Sequence, residues 1–319
     1  MKITRGPITL LIRGIQTIIL AAFVVGWVFY NFQPDEKHFY QGSLLKRNLL
    51  RSIEGPRIIL VGGSNLAFGI DSEMIEKSVG MPVINDGMHV GLGVAPLEEV
   101  KAYIHPGDVI IVSLEYYNFI DRISFFGNPQ FLADWIEVAP ERINYIEDLP
   151  FEAPIIYTLM FQHKINRPLN YLLYGGTLDP IRNGYTGDKF NSYGDFIGHL
   201  DPDAPTFNVA SYPYPINQFQ EGMDYLRKFK EYAESKGAIV LFEAQASRKT
   251  NCDLTGSRPL QKFYTNLREA TGIFILTQNE DLCLADEFFY DTPNHLNAAG
   301  RTIKTQKLIE NLREYLGLN

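Results

Sequence analysis

The chain reads as a three-layer α/β domain, with a central parallel five-stranded sheet between two helical layers. An N-terminal transmembrane helix precedes it and an aromatic-rich insertion interrupts it. Three observations predict this. Short β-branched runs alternate with amphipathic helical stretches, glycine stands at the helix ends, and the first apolar segment follows a basic lead-in. Strands of a parallel sheet covered on both faces are apolar on both sides, so they read as continuous runs rather than alternating ones.

The first element is Ile15–Tyr30 (IQTIILAAFVVGWVFY), which carries no charge. With Ile8–Ile12 before it and Phe32 after it, the span reaches roughly 20 residues, the length a helix needs to cross a bilayer. Lys2, Arg5 and Arg13 precede the apolar core, and Trp27 and Tyr30 suit the far interface, which places the N-terminus in the cytoplasm. Arg13 sits where its side chain snorkels to the headgroups. The residues after Ala22 (FVVGWVFYNF) lack a small-x-small cleavage pattern, so the reading is an uncleaved anchor rather than a signal peptide. This gives a cytoplasmic tip and anchor over 1–34, a stem over 35–55 with an amphipathic stretch at Ser43–Ile53, and the α/β domain over 56–319. That domain is expected outside the cytoplasmic membrane.

Within it, Arg57–Gly62 (RIILVG) is the first strand, followed by a helix over Ser72–Val79. Pro82–Asn85 is the second strand, ending in Asp86-Gly87. A helix over Gly93–Ile104 leads to the third, Asp108–Leu114 (DVIIVSL). Helix Gln218–Ser235 passes through Gly237 to a fourth strand, Ala238–Phe242, and helix Leu260–Thr271 passes through Gly272 to a fifth, Ile273–Leu276. The last helix covers about 297–315. Between about 120 and 215 the alternation stops. This stretch, dense in Tyr, Phe, Asn, Pro, Gly and Asp, is too long for a plain loop, so an insertion over the carboxyl edge of the sheet is expected.

Formal charge is −8, from 29 Lys and Arg against 37 Asp and Glu, and no basic run follows the N-terminus, which argues against nucleic-acid binding. The 18 Tyr and 21 Phe provide flat apolar faces for sugar rings, although such residues also fill ordinary cores. Cys252 and Cys283 each follow a strand, and both a disulfide and two separate buried thiols remain open. His163 and His199 stand in the insertion without metal-ligand spacing. No HExxH, CxxC or Walker sequence occurs, and no cofactor or metal is implied.

Ser64 follows the first strand directly, on the turn GGSNLAFG. Ligands of open α/β sheets gather at the carboxyl ends of strands, where a serine on a tight turn exposes its hydroxyl. Near the other end of the chain, FFYDTPNHLNAAG sets His295 on a loop before the last helix. A neutral imidazole beside a serine hydroxyl takes its proton during attack and returns it to the leaving group, and a carboxylate on the other ring nitrogen fixes the tautomer. Asp291 is close enough in sequence for that task.

Gly-Gly-Ser-Asn after a strand, glycine after the second strand, and Asp…His before the final helix resemble the SGNH (GDSL-like) hydrolase superfamily. HLNAAG resembles its membrane-anchored members that act in envelope-polymer acylation, such as the alginate O-acetylation proteins and the D-alanyl transfer protein of lipoteichoic acid synthesis. The resemblance covers the sheet-forming parts of residues 56–118 and 218–316. It implies Ser64 as nucleophile, His295 as base, Asp291 as orienting acid, and an oxyanion hole from the backbone N–H groups of Ser64 and Gly87. The family has two residues between its Asp and His where this chain has three, which makes Asp286 and Glu287 fallback partners. The family's third block, Gly-x-Asn-Asp, is replaced by LEYYNF, in which Asn118 has the side chain to complete the hole. Asn65, His89 and Glu115 are candidate substrate contacts, Glu115 through a substrate hydroxyl. The activity implied is that of a membrane-anchored serine esterase or O-acyltransferase on acyl esters of an extracytoplasmic polysaccharide, with a membrane-bound acyl-donor protein as partner. A non-catalytic glycan-binding or assembly subunit is the alternative.

Overall fold

The β-branched runs form one parallel sheet in the computed structural model, which describes residues 5–31, 37–146, 149, 153–174, 185–201 and 207–318. Its strands are β1 (Ile58–Gly62), β2 (Val83–Asn85), β3 (Val109–Ser113), β4 (Ile239–Phe242) and β5 (Phe274–Ile275). They lie in the order β2-β1-β3-β4-β5, with Ile59 paired to both Ile84 and Ile110, and Phe242 to Val112 and Ile275. This is the flavodoxin-like order, and it reverses direction between β1 and β3. Open sheets of this kind form their crevice outside the strand ends at such a point.

Alternation of side chains along each strand divides the core into two layers. Ile59, Val61, Ile110, Val112, Val240 and Phe242 pack against α5 (Ala95–Lys101), α9 (Gln220–Ser235) and α11 (Ser257–Thr271), through residues such as Leu97, Leu226 and Phe263. Ile58, Leu60, Val109, Ile111 and Leu241 pack on the other face against α3 (Ser64–Gly69), α4 (Ser72–Val79) and α12 (Ala298–Leu316), through Leu66, Ile75, Leu308 and Leu312. The three-layer reading of the sequence is the fold observed. Asp71 caps α4 through the Met74 N–H, and Asn297 caps α12 through Gly300 N–H.

The N-terminal helix α1 (Arg5–Asn31) contains Thr9–Trp27, 19 residues long and apolar enough to cross a membrane, with none of that window buried. Lys2 and residues 32–36, which include the start of the expected stem, lie outside the described residues. The rest of that stretch is no free stem. In α2 (Gly42–Ser52) Lys46, Arg47 and Leu50 are buried, and Lys46 Nζ donates to the Asn85 carbonyl at 2.7 Å. A buried cation finding carbonyl acceptors at a strand end is a packing feature that amphipathic spacing does not announce.

The insertion holds helices as well as loops: α6 (Arg122–Phe126), α7 (Pro129–Val138) and α8 (Ala153–Tyr174). Its residues 175–184 and 202–206 lie outside the described ones. Residues 185–201 return across the strand ends, tied down by buried Asp195. That carboxylate accepts from Ser72 N at 3.0 Å, Asn85 Nδ2 at 2.8 Å and Arg301 at 3.0 Å. Phe196 N donates to Ala67 O at 2.8 Å, which fixes the same strap to α3. Cys252, in α10 (Lys249–Thr255), and Cys283 form a disulfide with Cα atoms 6.2 Å apart. It joins the segments that follow β4 and β5.

Candidate active site

Three parts of the chain meet over the switch point. Ser64 opens α3 after β1, at the start of a helical turn whose first N–H groups have no intrahelical acceptor. His295 precedes α12. Its Nε2 lies 2.8 Å from Ser64 Oγ, and its Nδ1 lies 2.7 Å from Asp291 Oδ1. All three side chains are mostly buried. The three residues between Asp291 and His295 form a tight turn in which Thr292 Oγ1 accepts from His295 N at 3.0 Å. The longer spacing therefore brings Asp291 to the ring. The fallback residues are engaged elsewhere or open to solvent: Asp286 binds Thr250 and Arg248, and Glu287 is exposed.

Asp291 has a second donor that sequence reasoning missed. The Tyr185 hydroxyl donates to Asp291 Oδ2 and stands 3.2 Å from His295 Nδ1. Burial alone would raise the Asp291 carboxyl, but the hydrogen bond and charge of His295, with the Tyr185 hydroxyl, hold it below its usual value. Burial and the charge of Asp291 push the Tyr185 phenol well up, so it remains a donor. Phe68 lies flat on the imidazole, and Phe196 stacks on Phe68 with centroids 4.5 Å apart. The aromatic density of the insertion was the available signal for Tyr185 and Phe196; nothing local marked Phe68.

The residues expected to complete an oxyanion hole are otherwise engaged. Gly87 N donates to Asn85 Oδ1 at 3.0 Å. Gly87 does abut the turn that carries Ser64: a Cβ there would meet Leu66 Cβ at 2.6 Å and Gly63 O at 2.9 Å. Asn118 turns back on its own chain. Its Oδ1 accepts from Glu115 N at 3.0 Å, and its Nδ2 donates to Val90 O at 2.9 Å and Ser124 O at 3.0 Å, so its amide does not reach Ser64. Asn65 is fully buried, with Nδ2 donating to Ser113 Oγ at 2.8 Å, which ties the turn to β3 rather than presenting a substrate contact. His89 accepts from Gly91 N at 3.0 Å, and burial, then the charge of His295, push its pKa down to about 4. That makes it a neutral ring bonded to its own loop. Glu115 is brought to Ser64 itself, with Oε1 3.5 Å from Ser64 Oγ.

Burial and the charge of His295 push His199 down to about 3, and it packs on Phe68 with centroids 4.9 Å apart. Among the described residues, Asp134, Glu137 and His163 come close enough to hold an ion. His163 Nδ1 lies 3.1 Å from Asp134 and 3.6 Å from Glu137, and these carboxylates push its pKa up to about 9. A protonated imidazole is an ion-pair partner rather than a ligand.

No family model and no curated protein matches the sequence. Among solved structures, protein YxiM of Bacillus subtilis is similar, at 14% identity and a TM-score of 0.39, over 82% of this chain and 57% of that one. The chain thus spans little more than half the length of that protein.

Proposed function

We propose that this protein is a membrane-anchored serine esterase or O-acyltransferase of the SGNH type, acting on acyl esters of an extracytoplasmic polysaccharide. The observation that carries the reading is the hydrogen-bonded chain from Ser64 through His295 to Asp291, with contacts of 2.8 and 2.7 Å. A base within hydrogen-bond reach of a hydroxyl, itself oriented by a carboxylate, is the arrangement of an activated nucleophile.

In the proposed reaction Ser64 Oγ attacks an ester or thioester carbonyl while its proton passes to His295 Nε2. Asp291 stabilises the imidazolium that forms. As the tetrahedral species collapses, the leaving alcohol or thiol takes the proton from Nε2 and the acyl group stays on Ser64. Water or a carbohydrate hydroxyl then repeats the sequence in reverse, giving hydrolysis or transfer. Exposed Tyr117 and Tyr212 offer faces for a sugar ring near the ends of β3 and the insertion. Location outside the cytoplasm is supported by the basic lead-in to α1 and by the Cys252–Cys283 disulfide, since such bonds persist in oxidising compartments.

One observation favours a second reading. The expected oxyanion donors Gly87 and Asn118 are engaged elsewhere, as suits a non-catalytic subunit that binds glycan or organises a synthase. Covalent labelling with a fluorophosphonate separates the two. Labelling of the wild type and not of Ser64→Ala, with p-nitrophenyl acetate turnover lost in the same variant, supports the enzyme. Equal turnover and no labelling supports the binding subunit.

A further inference from the structure

The acyl-transfer steps leave one carboxyl group beside the nucleophile without a role. Glu115 stands two positions past β3, is 4% exposed, and puts Oε1 3.5 Å from Ser64 Oγ, where it also accepts from the Asn65 N–H at 3.4 Å. Gly63 permits the approach, since a Cβ there would lie 2.8 Å from Oε1. The group borders the space where charge builds on an attacked carbonyl.

The hydrogen bonds around Glu115 have a fixed direction. A backbone N–H only donates, and that of Tyr116 donates to Gln245 Oε1 at 2.8 Å. Gln245 Nε2 then donates to Asn294 Oδ1 at 2.9 Å, which turns Asn294 Nδ2 onto Glu115 Oε2 at 2.8 Å. Oε2 thus accepts the shorter bond, at 2.8 Å, while Oε1 receives only the longer one from the Asn65 N–H at 3.4 Å, so a proton on this carboxyl group sits on Oε1, the oxygen facing Ser64. The other side of the site leads to the same placement. Asp291 accepts a hydrogen bond from the Nδ1–H of His295, so Nε2 accepts from the Ser64 hydroxyl. Ser64 Oγ then presents lone pairs to Oε1, which suits a carboxylic acid and opposes a carboxylate. Burial raises the Glu115 pKa, against the charges of His295 and Lys304 and the donors Asn294 and Asn65. Lys304 is itself paired with Glu243, and the phenols of Tyr212 and Tyr214 complete the titratable groups around Glu115.

We propose that Glu115, as the neutral acid, is a catalytic residue that donates a hydrogen bond from Oε1 to the oxyanion formed when Ser64 attacks its acyl substrate; the inference rests on the Ser64 reading above. When the Oγ–C bond forms, the carbonyl π electrons move to oxygen and the Ser64 proton goes to His295. Glu115 keeps its own proton while donating it in a hydrogen bond, and the bond relaxes when the carbonyl re-forms. The role falls to Glu115 because the Asn118 amide is held by Val90 and Ser124. One such donor is worth about 100- to 1000-fold in rate.

The test compares full-length wild type, Glu115→Gln and Glu115→Ala in detergent, by p-nitrophenyl acetate turnover against pH and fluorophosphonate labelling. Expected is a wild-type rate that falls at alkaline pH as Glu115 ionises. Glu115→Gln keeps the rate within about tenfold at neutral pH and loses the alkaline fall, because its Oε1 accepts from Asn294 while Nε2 faces Ser64. Glu115→Ala is about 100- to 1000-fold slower throughout. Labelled Ser64 with Glu115→Ala at the wild-type rate overturns the proposal and leaves the nucleophile standing. So do superposable wild-type and Glu115→Gln profiles, or a Glu115→Gln variant faster than wild type at every pH, the result expected of an opposing carboxylate. Wild type that neither labels nor outpaces Ser64→Ala removes the Ser64 reading, and the proposal with it.

Discussion

The Phe68 ring lies parallel to the His295 imidazole, with centroids 4.1 Å apart and planes inclined by 6°. Since Phe68 belongs to the same short helix that Ser64 opens, one element both presents the hydroxyl and sets the plane of the ring within hydrogen-bond reach of it. Phe68 is fully buried, and Phe196 and Tyr185 back it.

Shortening that ring is expected to act on rate more than on affinity. Phe68→Leu keeps an apolar side chain but gives the imidazole room to tilt. Misplacing a reacting group by about 1 Å costs up to roughly 100-fold, so kcat on p-nitrophenyl acetate should fall by about 10- to 100-fold with KM little changed. Steady-state kinetics beside a melting curve checks this. A variant that melts earlier but turns over normally would make Phe68 a packing residue alone.

Asp291 and Tyr185 divide one task. Asp291→Asn leaves the shape but favours the wrong imidazole tautomer, and a loss of about 10⁴-fold in kcat is expected. Tyr185→Phe is milder. It removes a donor that helps hold the Asp291 carboxyl below its usual value, so that carboxyl should rise and the acid limb of the pH–rate profile should move to higher pH. An unmoved acid limb would show that Tyr185 does not act through Asp291.

The strands were legible because each is a run of Ile, Val and Leu closed by Gly or a polar residue, as in RIILVGG, and burial on both faces leaves no other pattern. Ser64, His295 and Asp291 could be singled out because their residue types have few uses at strand ends and helix starts. The third strand's exit was not legible. By side-chain chemistry Asn118 was the natural oxyanion donor and Glu115 a substrate contact, but Asn readily bonds nearby backbone. Here it closes the 3₁₀ turn over Tyr116–Phe119, which aims Glu115 at Ser64 instead. The partner that orients Glu115, Asn294, lies 179 residues away in sequence, in the segment whose extra residue looked like a defect of spacing. Tertiary pairing of that range leaves no local pattern to read.

The disulfide should contribute to stability. Cys252 and Cys283 stand 31 positions apart in sequence, linking the ends of the paths that follow β4 and β5. Cross-links of this kind add about 2–4 kcal/mol by restricting the unfolded chain. The double variant Cys252→Ser with Cys283→Ser is therefore expected to unfold at lower denaturant, and reductant should lower the wild-type melting temperature but not that of the variant. Equal melting with and without reductant would show that the bond carries no stability.

The ion-pair cluster between α7 and α8 gives stability a pH dependence away from Ser64 and His295. His163 faces Asp134 at 3.1 Å and Glu137 at 3.6 Å, Lys164 lies 3.5 Å from Glu137, and the Gln130 amide stands beside the other ring nitrogen. Hydrogen bonds to the two carboxylates push the His163 pKa up to about 9, against an unfolded value near 6.5. A raised folded pKa means that the folded state holds the proton more tightly. The stabilisation is fully present below about pH 6.5 and is lost as pH rises through about 9. The melting temperature should accordingly decline across that window, and His163→Gln should flatten the decline while melting close to wild type at its alkaline end. Because the cluster is partly open to solvent, screening keeps the effect small, and raising the salt concentration should reduce it further. A wild-type melting temperature flat from pH 6.5 to 9, or a decline that persists in His163→Gln, would show that these carboxylates do not hold the imidazole in its charged form.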